Sequence, residues 1–273
     1  MVYYRKKNGK VRMEKDVKWL GRTEALIGSE GIEILQNAHV LIVGLGGVGS
    51  FAAEFICRAG VGKMTIVDGD VVDPTNRNRQ LPALATNHGQ PKAEYMADRL
   101  KSINPDLELV VIQSFLTPDK FEEILTEPFD FVLDCIDSIT PKLLLLATAY
   151  EKNLRIVSSM GAGGKIDPTQ IRIADLFETY SCGFAQYIRK RIKKLGVGKG
   201  ITAVYSIEKT DKESLLMTDG SNFKRSAYGT ISYLPAAFGG VVASVAIREL
   251  LNLEIEKVGR PKNLPKPKLQ KKN

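Results

Sequence analysis

A strand-length apolar run, Val40 to Val43, meets glycines at Gly44, Gly46 and Gly49, and no other stretch restricts the fold so sharply. A helix-compatible segment follows, then a second apolar run, Met64 to Val67, that ends in Asp68. Strand, G-x-G-x-x-G turn, helix, strand and acid in this order predict a nucleotide-binding βαβ unit. Gly44 permits the tight turn, Gly46 lets the backbone approach a phosphate, and Gly49 brings the helix close onto the sheet. The helix N-terminus offers free N–H groups and a partial positive charge to the anion. Asp68, about 20 residues past the last glycine, suits a ribose diol. Which nucleotide binds stays open at this point.

The same alternation continues along the chain. Helical pieces from Asp16 to Gln36 precede the first strand. Gly89-Gln-Pro-Lys92 opens a helix to about Ile103, with Pro91 in its first turn. Leu107 to Ile112 and Phe129 to Cys135 pattern as strands around a helix from Pro118 to Leu125. A helix from Pro141 to Lys152 and a strand from Leu154 to Ser159 follow. Alternating β and α predicts an α/β fold, a Rossmann-like, doubly wound, mainly parallel sheet. The uncharged run from Thr230 to Ile247 is long enough to raise a membrane question. Pro235, Gly239 and Gly240 interrupt it, so the expectation is a strand running into a buried helix, Ala236 to Leu251, and no membrane partner.

In such a sheet the ligand lies beyond the carboxyl ends of the strands. Asp68, Asp70, the loop Asn76-Arg77-Asn78-Arg79-Gln80, Lys92, Asp137 and the Met160 to Gly164 turn all fall at or just after strand ends, so they converge on one crevice. Two arginines and a lysine there exceed what a dinucleotide pyrophosphate requires. They suit a reaction in which charge develops on phosphorus. Arg79 is the catalytic candidate of the two arginines. Lys92 opposes the dipole of the helix it starts, so another role must hold it there. Asp137 is the candidate Mg²⁺ anchor, because magnesium takes one or two carboxylates plus phosphate oxygens. Asp70 caps a turn or serves the metal and phosphates. A nucleoside triphosphate is thus expected rather than NAD.

The net charge of +8 is carried by the ends. Residues 1–12 hold five cations and no acid, residues 258–273 hold six and no acid, and the body between is slightly acidic. Flexible basic ends, 1–15 and 258–273, are therefore expected to flank a domain at 16–257, with the nucleotide-binding part at 20–160 and a substrate-facing part at 161–257. Cys57, Cys135 and Cys182 form no C-x-x-C pair, which argues against a disulfide framework or a cysteine zinc site and fits a reducing cytoplasm. His39 and His88 have no triad-like or zincin-like neighbours, which disfavours histidine-led catalysis.

Gly44-Leu-Gly-Gly47-Val-Gly49, Asp68-Gly-Asp70, Asn76-x-x-Arg79-Gln80, Gly89-Gln-Pro-Lys92 and Cys135-Ile-Asp137 resemble the adenylation domain of the ubiquitin-activating-like superfamily, over roughly residues 20 to 160. That resemblance implies ATP and Mg²⁺ as cofactors, an acyl-adenylate formed from a carboxylate, and a homodimer in which an arginine matching Arg22 reaches the neighbour's site. The fold expected is then the adenylation type with an added C-terminal α/β half. Gly161-Ala-Gly-Gly-Lys-Ile-Asp-Pro-Thr169, Arg189-Lys-Arg-Ile-Lys-Lys194, Val204-Tyr-Ser206 and Gly229 to Pro235 resemble the tRNA threonylcarbamoyladenosine dehydratases. This second resemblance implies activation of a threonyl carboxylate on a modified adenosine of tRNA, with net loss of water.

Asp175 to about Leu195 is expected to be one helix, with Phe184, Ile188, Ile192 and Leu195 on an apolar stripe. Lys165, Arg189, Lys190, Lys193 and Lys194 are the candidates for tRNA phosphates. Two alternatives keep the same scaffold: adenylation of a ubiquitin-like or sulfur-carrier protein, and a non-catalytic tRNA-binding adaptor. A link to a cysteine desulfurase or sulfur-acceptor protein also stays open.

Overall fold

The structure is a computed structural model. It describes residues 18–217 and 227–261, and the backbone alone of 4–7, 10–13 and 226. The flexible ends expected from composition lie outside the described residues, apart from 258–261 and a hairpin of β1 (Tyr4–Lys7) with β2 (Lys10–Met13). There follow α1 (Gly21–Asn37), β3 (His39–Val43), α2 (Gly49–Arg58), β4 (Lys63–Val67), α3 (Lys92–Ile103), β5 (Glu108–Ile112) and α4 (Pro118–Ile124). Then come β6 (Phe131–Asp134), α5 (Ile139–Glu151), β7 (Ile156–Ser159), β8 (Ile171–Asp175), α6 (Gly183–Ile192) and β9 (Thr202–Ser206). A second hairpin pairs β10 (Leu215–Met217) with β11 (Ser226–Tyr228), and α7 (Tyr233–Leu250) follows it.

Seven strands form one sheet in the order β5-β4-β3-β6-β7-β9-β8. All are parallel except β8, which closes the edge antiparallel to β9. The order reverses at β3, whose neighbours are β4 and β6, so a crevice opens at their carboxyl ends.

Strand periodicity sorts the core into two layers. Val40, Ile42, Met64, Ile66, Phe131 and Leu133 pack with α2, α3 and α7 on one face. Leu41, Val43, Val67, Val132 and Ile156 pack with α4, α5 and α6 on the other. Burial on both faces is why β3 from Val40 onward and β6 up to Asp134 are unbroken apolar runs rather than alternating ones.

Four boundaries differ from expectation. Pro91 precedes α3 instead of entering it, because it is held extended in a bridge to Val71. Helix α5 starts two residues early, with Pro141 inside its first turn, where no intrahelical N–H is needed. The helix expected from Asp175 begins only at Gly183. Residues 171–175 are spent on the edge strand β8, a short 3-10 turn at Leu176–Glu178 follows, and Ser181 sits at φ 56. Helix α7 begins at Tyr233. It is the one helix among those described that is long and apolar enough to cross a membrane, with a mean hydropathy of 1.2 and half of the span buried. Its buried side packs on α2, β6 and β7. A Cβ on its Gly239 would lie 2.6 Å from the Val48 carbonyl oxygen, so α2 and α7 touch backbone to backbone.

Candidate active site

Gly44 leaves β3 at φ 91, and its N–H donates to Val67 O at 2.8 Å. A Cβ on Gly49 would sit 1.7 Å from Gly44 O, so the first turn of α2 can close onto the strand end only with glycine there. Gly47 faces Pro235 of α7 and the Arg79 carbonyl.

Asp68 follows β4. Its Oδ2 accepts the Leu45 N–H at 2.6 Å and its Oδ1 accepts the Asp70 N–H at 2.8 Å, so the carboxylate is fixed at the lip of the glycine turn with lone pairs remaining. Burial pushes this carboxyl above its ordinary value, against the opposing pull of Lys92 and the two N–H groups.

Lys92 starts α3, is only 4 % exposed, and donates to Asp70 Oδ2 at 3.1 Å, while its own N–H donates to Asp70 O at 3.1 Å. Asp70 thus aims Lys92, which answers why a cation stands at that helix start. Asn76 is buried and accepts from the Asp73 N–H at 3.4 Å in a capping box, so its side chain shapes the loop.

Arg79 is half-buried, with Nη1 donating to Thr75 O and Asn78 Oδ1, both at 2.9 Å. Burial lowers its pKa, and the Asp137 carboxylate is near enough to oppose that effect. Asp137 is exposed on the loop after β6 and accepts from Ser138 Oγ at 3.4 Å.

Gln80 lies over Gly46, and its Oε1 is buried without a hydrogen-bond partner. A buried acceptor beside the glycine turn suits a ligand donor such as a ribose hydroxyl or a base amino group, not a phosphate, whose oxygens only accept. With the unsaturated Asp68 carboxylate, it fits a nucleotide.

Among the described residues no three His, Cys, Asp or Glu side chains group to hold a metal. A magnesium on Asp137 would therefore draw its other ligands from phosphates and water.

The structure thus gathers Gly44, Gly46, Gly47, Gly49, Asp68, Asp70, Asn76, Arg79, Gln80, Lys92 and Asp137 in one crevice. Arg22 stands apart. It is exposed in the first turn of α1, with no hydrogen bond or ion pair to those residues among the ones described.

Two of the cations expected to meet tRNA are turned inward. Lys165 is 4 % exposed, and its Nζ donates to Gly161 O at 3.2 Å and Ser206 O at 3.5 Å. Arg189 donates to the carbonyl and hydroxyl of Thr179 and to Leu176 O, and burial lowers its pKa. It ties α6 to the turn before it, because the late helix start folds that turn back over the guanidinium. Lys190, Lys193 and Lys194 remain exposed.

A buried network escaped the sequence reading. Lys142 Nζ, fully buried on α5, donates to Asp134 Oδ2 at 2.5 Å, Ser158 Oγ at 3.2 Å and Ser159 O at 3.0 Å. Asp134 Oδ1 accepts the Ile136 N–H at 3.1 Å, so the network pins the start of the loop that carries Asp137. The signal for it was present: a lone lysine beside the Leu143 to Leu146 run.

The sequence pattern of the ThiF family matches residues 20–272. The chain belongs to the ThiF family. Within that family it is 36% identical over 245 residues to the tRNA threonylcarbamoyladenosine dehydratase of Bacillus subtilis (strain 168), covering 87% of this chain and 96% of that one. It is 37% identical over 248 residues to the Escherichia coli (strain K12) enzyme of the same name, covering 85% and 92%. The crystal structure of the E. coli dehydratase, TcdA, in complex with ATP superposes with a TM-score of 0.79 at 37% identity, covering 86% of this chain and 94% of that one. Similarity to the ThiF-like molybdopterin-synthase adenylyltransferase of E. coli is 36% over 129 residues, only 47% of this chain and 51% of that one.

Proposed function

We propose that this ThiF-family chain is an ATP-dependent tRNA threonylcarbamoyladenosine dehydratase. What carries the reading is how far the likeness extends. Similarity to the dehydratases spans nearly their full length, whereas similarity to the adenylyltransferase covers about half of it.

The glycine turn and the N-terminus of α2 would take the ATP phosphates, and Asp68 the ribose diol. The threonyl carboxylate attacks the α-phosphorus and pyrophosphate leaves. A nucleophile of the same modification then attacks the activated acyl carbon and AMP leaves with one carboxylate oxygen, so that one water is lost overall. Arg79 and Lys92 stabilise charge growing on phosphorus, held in place beforehand by Thr75, Asn78 and Asp70. Magnesium, with Asp137 as its protein ligand, would neutralise the phosphates. Arg22 of a second copy completes the cation set in a homodimer. Lys190, Lys193 and Lys194 take tRNA phosphates. The three free thiols suit a reducing, cytoplasmic setting.

The test is ATP consumption by the purified chain with Mg²⁺, using tRNA with and without threonylcarbamoyladenosine, followed by mass spectrometry of the nucleosides. The expected result is ATP use that requires the modification, with loss of one water from that nucleoside. ATP use indifferent to tRNA, or tRNA binding without ATP use, overturns the proposal.

A further inference from the structure

Lys165 is a buried cation without an anion. An ammonium has three N–H donors and no acceptor, and here two of them reach carbonyls, one at the long distance of 3.5 Å. Among the described residues no carboxylate forms an ion pair with it. The nearest acid along the chain, Asp167, spends its carboxylate on the N–H and hydroxyl of Thr169 at 2.8 and 2.6 Å, and Glu208 spends its own on the N–H groups of Ile166 and Asp167 at 2.9 to 3.2 Å. The other two deeply buried lysines among the described residues, Lys92 and Lys142, have Asp70 and Asp134. A desolvated charge left unpaired is costly, so a protein that keeps one has a use for it.

The position says what that use is. Gly161 follows β7 and Ser206 ends β9, so Lys165 sits at the carboxyl edge of the sheet, on the side of β6 away from β3. One strap joins it to the nucleotide crevice. Gly229 O accepts the Gly164 N–H at 2.8 Å, Thr230 O accepts from Asn78 Nδ2 at 2.8 Å, and Tyr233 Oη donates to Ile166 O at 2.9 Å. Pro235 then packs against Gly47. Asn78 is the residue that also holds Arg79. The loop bearing Lys165 and the loop bearing Arg79 are thus clamped to the same seven residues.

We propose that Lys165 is the receptor for the substrate carboxylate, an inference that rests on the dehydratase reading above. Its ammonium exchanges a weak carbonyl contact for one oxygen of the threonyl carboxylate. The other oxygen is left to form the bond to the α-phosphorus as pyrophosphate departs. The oxygen on Lys165 becomes the acyl carbonyl oxygen, and the same ammonium faces it when negative charge returns during attack on the activated carbon. Lys165 is therefore a specificity-determining residue for an anionic substrate rather than a contact for the tRNA backbone.

The experiment uses the full chain and an anticodon stem-loop carrying threonylcarbamoyladenosine, either as the free acid or as its methyl ester, with binding measured beside a non-hydrolysable ATP analogue. A charge-assisted hydrogen bond predicts that the wild type prefers the acid by about 10- to 100-fold. Lys165→Met loses that preference by weakening the acid alone, and Lys165→Arg regains part of it. Affinity for the ester and for the ATP analogue stays unchanged. Equal weakening of acid and ester, or a preference that survives in Lys165→Met, overturns the inference. Should Lys165→Met not fold, Lys165→Gln carries the comparison, and a wild-type acid-to-ester ratio near one overturns it without any variant. Modification-dependent water loss with an unchanged preference refutes the role of Lys165 alone. Absence of water loss in the wild type refutes the dehydratase reading itself.

Discussion

Replacing Lys142 by methionine tests whether the buried network under the Asp137 loop is an ion pair that the fold depends on. Both partners are 0 % exposed. After the change Asp134 keeps Ser158 Oγ at 2.6 Å and the Ile136 N–H at 3.1 Å, but its charge has no counterion. Breaking a buried pair from one side costs about 3–5 kcal/mol. That is a large part of the roughly 5–15 kcal/mol available to a domain. At roughly 2–4 °C per kcal/mol for a chain of this size, the melting temperature falls by about 6–20 °C. Adding Asp134→Asn removes the stranded charge yet leaves an amide oxygen for Ile136, so the double variant recovers at least ~2 kcal/mol. Urea midpoints of the wild type, both single variants and the double variant close the cycle. A loss below about 1 kcal/mol in Lys142→Met, or a second substitution that only adds to the damage, refutes the reasoning.

Arg79→Ala leaves the melting temperature near the wild-type value but lowers kcat about 10²- to 10³-fold, some 3–4 kcal/mol of transition-state stabilisation; unchanged turnover removes Arg79 from the mechanism. Because burial raises the Asp68 pKa, acidification protonates Asp68 above the ordinary carboxylate value of 3.8 and weakens ATP binding there. The same shift makes ionised Asp68 a cost to the native state, lost as pH falls through the raised pKa, so acid relieves the fold while it loosens the ligand. Titration of a fluorescent ATP analogue checks this, with a flat profile expected for Asp68→Asn. Arg189→Met lowers stability by about 1–3 kcal/mol through its lost carbonyl contacts. Lys190→Gln, Lys193→Gln and Lys194→Gln change stability by under about 0.5 kcal/mol but flatten the salt dependence of tRNA binding by roughly 0.7–0.9 per contact. Salt slopes and melting curves measured on all four variants separate the two roles.

The nucleotide half was legible because its determinants are local. Gly44 needs a positive φ, Gly49 needs the absence of a Cβ, and strands covered on both faces must be continuous apolar runs. The second half depends on contacts distant in sequence. Ile171 and Ile173 fit a strand or the approach to a helix equally well, and only pairing with β9 decides for the strand. Nothing local distinguishes Arg189, folded under Thr179, from Lys190 beside it in the open. Lys165 and Lys142 look like any lysines until the sheet closes over them, although the apolar run after Lys142 was a warning. Asp70 shows the middle case. Its place in the crevice followed from the motif, but its part in holding Lys92 needed the distance.

The backbone contact between α2 and α7 has a consequence for how the protein is made. Gly47 and Val48 meet Pro235 and Gly239 only after about 190 more residues have been synthesised, an interval of roughly 10–40 s at ordinary rates of translation. Once made, β6 and β7 keep one face waiting for a helix that does not yet exist. A nascent chain of this kind is exposed to aggregation and to chaperones until α7 emerges, and its ATP cradle is completed late although its glycines were translated early.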